Sequence, residues 1–202
     1  MKNNLTGLLF TAISISLFFL SSNQKINAQT TIESFNPNAN GMISSIVVQA
    51  NGKVLIGGDF TTIGGQEKKY LARLNPDGTL DTDFNSGANS AVSAIAIQIR
   101  QNSREQDIDM ILVASEFTTA EGETKILVTR LGPDGTPDPK FNPQEVVGGV
   151  NSLVVQPNDD ILVGGNFDSL GGQPRSNIAR LGPNGRLDTE FNPSANSAVY
   201  SF

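Results

Sequence analysis

Apolar runs along this chain are short, and after the N-terminus they return at a fixed rhythm. Residues 43–49 (ISSIVVQ) read as a first β-strand. Ala50-Asn51-Gly52 then reads as a tight turn, because Asn-Gly accepts positive φ. Residues 53–57 form a second strand. Its Val54-Leu55-Ile56 run is apolar without a break, which asks for cover on both faces. Residues 70–74 are a third strand. Asn75-Pro76-Asp77-Gly78 is a turn in which Pro fixes φ and Gly closes the loop. Residues 80–84 complete the set as a fourth strand. The same turn returns as Gly132-Pro133-Asp134-Gly135 and Gly182-Pro183-Asn184-Gly185.

The whole set recurs. Units start at Phe35, Phe84, Phe141 and Phe191, with periods of 49, 57 and 50 residues. A second Phe recurs at 60, 117 and 167, and an Arg follows it by 13 residues each time, at 73, 130 and 180. Only the first hairpin varies much in length, through a polar insertion around 101–107. The units are therefore 35–83, 84–140, 141–190 and a partial 191–202, preceded by an edge segment at 29–34. Four antiparallel strands in about 50 residues, apolar on both faces, are the unit of a β-propeller blade, which must stack on a neighbour to bury its faces. The expected fold is all-β, with three full four-stranded blades, part of a fourth and an incomplete ring. A β-solenoid is the runner-up, although its coils are usually shorter, about 20–30 residues. Phe202 falls where Ile46 falls in unit one, in mid-strand. The expectation is that residue 202 is a stopping point within a longer array, or that copies assemble to close a ring of about four to eight blades.

Residues 1–28 do not share the rhythm. Lys2, an apolar run over 5–20 and a small residue at Ala28 read as an export signal cut before Gln29. Sixteen helical residues reach only about 24 Å, short of a hydrocarbon core of roughly 30 Å. The remaining chain is expected to be secreted, periplasmic or on the cell surface, and not to span a membrane.

Composition narrows the chemistry. The 202 residues contain no Cys, no His and, among the aromatics, only Phe and two Tyr. That removes disulfides, thiolate and imidazole metal sites and His-based triads. The formal charge is −6, and loss of Lys2 and Lys25 with the leader makes it more negative. This opposes binding to nucleic acid.

The repeated residues resemble the delta-60 repeat family of bacterial β-propellers. The motifs are Phe-Asn-Pro at 35–37, 141–143 and 191–193, Gly-Gly-Asp-Phe at 57–60, the Gly64-Gly65 and Gly171-Gly172 pairs, and Ala-Arg-Leu at 72–74 and 179–181. Unit two departs most. It has Ala114-Ser115-Glu116-Phe117 for Gly-Gly-Asp/Asn-Phe, and Asn85-Ser86-Gly87 for Asn-Pro. The resemblance implies an exported or surface-attached propeller and brings no catalytic residues with it.

Several groups invite a functional reading. The Gly-Gly pairs follow strands and open no helix, so a backbone role outweighs phosphate cradling. Asp77, Asp81 and Asp83 crowd the last turn of unit one, with Asp81 and Asp83 on one strand face, and oxygen-rich loops suit Ca²⁺. Unit three keeps Asp188 and Glu190 but has Asn184. Unit two keeps Asp134 and Asp138 but places Lys140 third, which opposes a metal. Arg73, Arg130 and Arg180 recur with Asp59, Glu116 and Asn166 as expected cross-strand pairs, or as a ring around an anion channel. Tyr70 and Tyr200 are the aromatics outside the Phe rhythm. Residues 100–107 (RQNSREQD) are the one non-repeating loop and the best guess for a distinguishing element. No catalytic, cofactor or metal residue is assigned.

The expected function is a secreted or cell-surface β-propeller repeat module that binds or scaffolds, with an extracellular protein or polysaccharide as partner and no cofactor. The alternatives are a propeller hydrolase or lyase using carboxylates and Arg, and a calcium-dependent adhesin.

Overall fold

The computed structural model describes residues 37–101, 104–118 and 124–202. The expected export signal at 1–28 and the expected edge segment at 29–34 lie outside the described residues. Within them the regular elements are all strands.

Unit one opens with β1 (Ile43–Val48) and β2 (Val54–Gly58). A small hairpin, β3 (Thr62–Ile63) and β4 (Gln66–Glu67), follows, and β5 (Leu71–Leu74) returns beside β2. Register places Ile46, Ile56 and Ala72 on one face and Val47, Leu55 and Arg73 on the other. This alternation explains the unbroken Val54-Leu55-Ile56 run. Leu55 packs toward unit two, while Ile56 joins Phe60 and Ile63 on the opposite face.

Unit two contains β6 (Val92–Gln101), β7 (Asp107–Thr118) and β8 (Thr124–Leu131). Unit three contains β9 (Gln144–Val155), β10 (Ile161–Leu170), β11 (Gln173–Pro174) and β12 (Ile178–Leu181). In each unit the three main strands run antiparallel, with the second strand in the middle.

The fourth strand differs from expectation. Residues 80–84 form a single antiparallel bridge, Leu80 with Leu74, repeated as Pro137 with Leu131 and Leu187 with Leu181. The chain turns away at once, because the Asp81 amide donates back to the Arg73 carbonyl at 2.9 Å and the Phe84 amide to the Asp81 carbonyl at 3.4 Å. Those groups are then not available to extend a ladder. Asp81 and Asp83 therefore do not share a strand face. Asp81 is buried in the turn and Asp83 is exposed.

A second difference joins units two and three. β9 starts early, and Gln144–Val146 pair with Ile126–Val128 of β8. The two units thus form one continuous sheet instead of separate blades. The cause is local sequence. Where unit one has Asn-Ala-Asn-Gly at 38–41, unit three has Gln144-Glu145-Val146-Val147, a stretch that favours a strand. The insertion of unit two lengthens the β6–β7 hairpin, which pairs out to Gln101 and Asp107. From it Arg100 reaches Asp159 of unit three at 3.7 Å.

The core lies between successive units. Leu55, Leu71 and Phe84 meet Val92, Ile95, Ile111 and Val113 at the first junction. Ala114 and Val128 meet Val150 and Leu153 at the second. Gly57 is required at the first junction, since a Cβ there would sit 2.5 Å from Val92 Cγ1 and 2.9 Å from Ile95 Cδ1. Gly164 repeats the arrangement with Val199 and Phe202, at 2.7 and 2.9 Å. Residues 191–202 accordingly lie on unit three as the first strand of unit two lies on unit one.

Candidate functional site

The recurring Arg is the best-defined polar group in each unit. It does not pair with Asp59, Glu116 or Asn166, as strand order suggested. Those three residues are exposed. Arg73 lies across from Leu55 in the ladder, four residues from Asp59, which at about 3.3 Å per residue is out of reach. The turn instead folds an acid back onto the guanidinium. Arg73 Nε donates to Asp81 Oδ2 at 2.6 Å, Arg130 Nε to Asp138 Oδ2 at 2.8 Å, and Arg180 Nε to Asp188 Oδ2 at 2.8 Å. Each guanidinium also lies over the Phe that opens the next unit, 4.7 Å from Phe84, 4.8 Å from Phe141 and 4.5 Å from Phe191. The planar fork allows an ion pair at the edge and stacking on the face together.

The arrangement also crosses the junction. Arg73 Nη1 donates to the Pro133 carbonyl, in the turn of the following unit. Arg130 Nη1 donates to the Pro183 carbonyl at 2.7 Å and to Gln98 Oε1. Gln98 Nε2 in turn donates to the Asp159 carbonyl at 3.0 Å. The Gln that ends the first strand in unit one acts likewise, Gln49 Nε2 reaching Asp109 at 3.0 Å. Arg, Asp, Phe and Gln therefore form a latch between units.

The carboxylates of the latch are held in their charged form. Burial pushes the Asp81 carboxyl up, but hydrogen bonds from Lys53 and Arg73 and the Arg73 charge outweigh it, and the net shift is downward. Asp138 behaves the same way, with burial opposed by the Lys140 amide and Arg130. For Asp188 the leading cause is the hydrogen bond from Arg180, and its carboxyl is also lowered. Asp77 and Asp134 are spent on turn chemistry, each accepting from the hydroxyl and amide of Thr79 or Thr136. Among the described residues no three carboxylates gather where an ion could sit. The Gly64-Gly65 and Gly171-Gly172 pairs all have positive φ at exposed hairpin tips, which is a backbone role.

One recurring cation was missed in the sequence. Eight residues after the second Phe stand Lys68, Lys125 and Arg175. Lys68 Nζ donates to the Phe84 carbonyl, and Arg175 Nη2 to the carbonyls of Asp188 and Thr189 at 3.3 and 3.2 Å. Both hold the end of a unit in place. In unit two, Lys125 instead lies 3.3 Å from Glu145. The constant spacing was the available signal.

The departures of unit two converge. Ser86 and Gly87, which replace Pro and its neighbour, and Ser115 and Glu116, which replace Gly and Asp, line one cleft of unit two, bounded also by Leu71 of unit one and Pro143 of unit three. Its volume is about 230 Å³. Leu71, Val113 and Leu131 make an apolar floor, with Glu116 on the rim. At the next junction the positions of Gly87 and Asn89 are taken by Gln144 and Val146, both buried. The described residues of the loop at 100–107 do not line this cleft.

No curated protein and no solved structure matches the chain. A sequence model described as a domain of unknown function (DUF5122) beta-propeller matches residues 49–84, 109–141 and 156–191, together more than half of the chain. Each matched stretch carries an Arg and its Asp and ends on the Phe under that Arg. The chain belongs to the DUF5122 β-propeller family.

Proposed function

We propose that the protein is an exported or cell-surface β-propeller module that binds a partner, with an extracellular polysaccharide or protein as the class of ligand, and that it is not an enzyme. The observation that carries this reading is the cleft of unit two lined by Ser86, Gly87, Ser115 and Glu116. Recurrent polar side chains are engaged in joining units, whereas residues that break the repeat pattern meet at one concave, mostly apolar surface. Such a surface with few polar groups is the usual form of a ligand site. The leader-like run at 1–28 and the acidic net charge favour export. The same motifs that place the chain in its family also support the delta-60 name for the repeat.

The test is binding by the purified chain to panels of extracellular polysaccharides and peptides, comparing wild type with Ser86→Phe and Glu116→Gln. A ligand held by wild type and lost on Ser86→Phe is expected, because Ser86 is half-buried at the rim. No ligand on any panel, or equal binding by all three proteins, would overturn the reading. Turnover of a probe by wild type would favour a carboxylate-dependent hydrolase or lyase instead.

A further inference from the structure

We propose that a second site lies on the face of unit two turned toward unit three, where a cationic hollow takes an acidic, partly aliphatic polypeptide segment of a partner protein. Side chains alternate along β7, so Ile111 and Val113 face unit one while Leu112 joins the junction with unit three. Met110 lies on the side of Leu112. With the half-buried Ile108 and with Pro139 it forms the apolar wall of a hollow of about 500 Å³, which Arg100, Arg130, Lys140 and Asp138 also line. None of these residues lines the cleft that holds Ser86 and Glu116.

Departures of unit two from its repeat create the charge. The positions of Met110, Arg130, Asp138 and Lys140 are held in unit one by Lys53, Arg73, Asp81 and Asp83, and in unit three by Asp160, Arg180, Asp188 and Glu190. Two cations thus face two carboxylates in unit one, and one cation faces three in unit three. In unit two, two cations face one carboxylate, and Arg100, from the lengthened hairpin, adds a third cation. Lys53 Nζ reaches Asp81 at 2.8 Å and Asp160 faces Arg180 at 3.7 Å, whereas Met110 brings no charge to this place. Asp138 is spent on Arg130 at 2.7 Å and on the Lys140 amide at 2.9 Å. The Lys140 ammonium is left exposed and, among the described residues, closes no ion pair. Arg100 pairs with Asp159 at 3.7 Å, an exposed contact of the weak kind. In a chain of net charge −6, Lys140 and the lightly held Arg100 single out this hollow for an anionic partner. Among the described residues no aromatic ring lines it, so a sugar has no stacking platform. Ile108, Met110 and Pro139 suit an aliphatic side chain instead, to which Met adapts readily. The hollow shares Met110, Asp138 and Pro139 with an adjoining one of about 430 Å³, a length that suits an extended segment.

The experiment presents the full chain to an array of short peptides in which acidic residues flank Leu or Met, each beside its Asn or Gln counterpart, with polygalacturonate as the carbohydrate arm. Wild type is expected to prefer acidic peptides over their amide counterparts by more than about tenfold. It releases them as salt rises from about 0.05 M to about 0.5 M. Lys140→Glu, which restores the acid that unit three carries at Glu190, weakens retention by more than about tenfold, and Arg100→Gln by about threefold or more. Lys140 is exposed and Arg100 partly so, and the thermal melt of both variants stays that of wild type. Arg186→Glu, the same charge change at an exposed position of unit three, and Ser86→Phe, in the cleft of unit two, leave retention unchanged. Retention of no acidic peptide, equal retention of acidic and amide peptides, or retention of polygalacturonate in their place overturns the proposal. So does a loss on Arg186→Glu equal to that on Lys140→Glu. Loss on Ser86→Phe with Lys140→Glu unaffected also overturns it, and assigns the peptide to the cleft.

Discussion

The guanidinium of Arg130 lies 4.8 Å above the ring of Phe141, a residue of the following unit, while its edge is paired with Asp138. Its side chain is 4% exposed, against 28% for Arg180 in the same role. Removing one partner of a buried pair leaves the other uncompensated, at about 3–5 kcal/mol. Arg130→Ala is expected to destabilise by about 3 kcal/mol in urea denaturation, and Arg180→Ala by clearly less. Arg130→Lys should recover little, because an ammonium cannot both fork onto Asp138 and stack on Phe141. Equal losses at Arg130 and Arg180 would show that burial does not set the cost.

Acid should undo the latches. Asp81, Asp138 and Asp188 all have lowered carboxyl pKa values in the folded chain. Their stabilisation is complete above the unfolded Asp value of about 3.9 and is lost as pH falls through the lower folded values. With no His in the chain, the melting temperature is expected to vary little between about pH 5 and 8 and to drop below about 4. Asp138→Asn should flatten that acid limb. A steep change near neutrality would contradict this assignment.

Two glycines separate two costs. Gly57→Val forces methyl groups into Val92 and Ile95, and overpacking of this kind costs about 1–3 kcal/mol. Gly65→Ala meets no neighbour but keeps φ at 75°, so it carries only a backbone cost of about 1 kcal/mol. Chemical denaturation of both variants gives the comparison. A larger loss at Gly65 would mean that turn conformation, not close packing between units, limits stability.

Phe84 is fully buried between units one and two and also lies under Arg73. Phe84→Ala is expected to cost about 3–5 kcal/mol. Phe191, half-buried at the last junction, should cost less on the same change. Unfolding curves that rank them the other way would place the main core elsewhere.

Much of this was legible in the chain. The Phe rhythm marked Phe60, Phe84 and Phe167, all now fully buried, because a large apolar residue held at constant spacing in a repeat has to face its core. The hairpins followed from Asn-Gly and Pro-Asp-Gly turns. The partner of Arg73 did not follow, since the recurrence of an Arg with Asp59 or its equivalent suggested that pair and only the folded turn brings Asp81 back. Nor did the merger of units two and three, which depends on four residues, 144–147, choosing between a loop and a strand. The cleft was half visible. Ser86-Gly87 and Ser115-Glu116 stood out as departures, but nothing in their separation of about thirty residues said that they meet; that comes from the pairing of β6 with β7 inside unit two, which sets Val92 opposite Ser115 and lets the Glu116 amide donate to the Ala91 carbonyl.

Because each latch takes its Arg and Asp from one unit and its Phe from the next, no single repeat holds a complete one. Gene duplication or loss by a whole period, with breakpoints at any phase, restores every latch at the new seam. A change by any other length in the segment between Arg and Phe strands a guanidinium without its acid or its ring. The first hairpin has no such constraint, and unit two carries its insertion there. Length variation across chains built from this repeat is therefore expected to collect at the first hairpin, while the eleven residues from Arg to Phe, constant in all three units, keep their count.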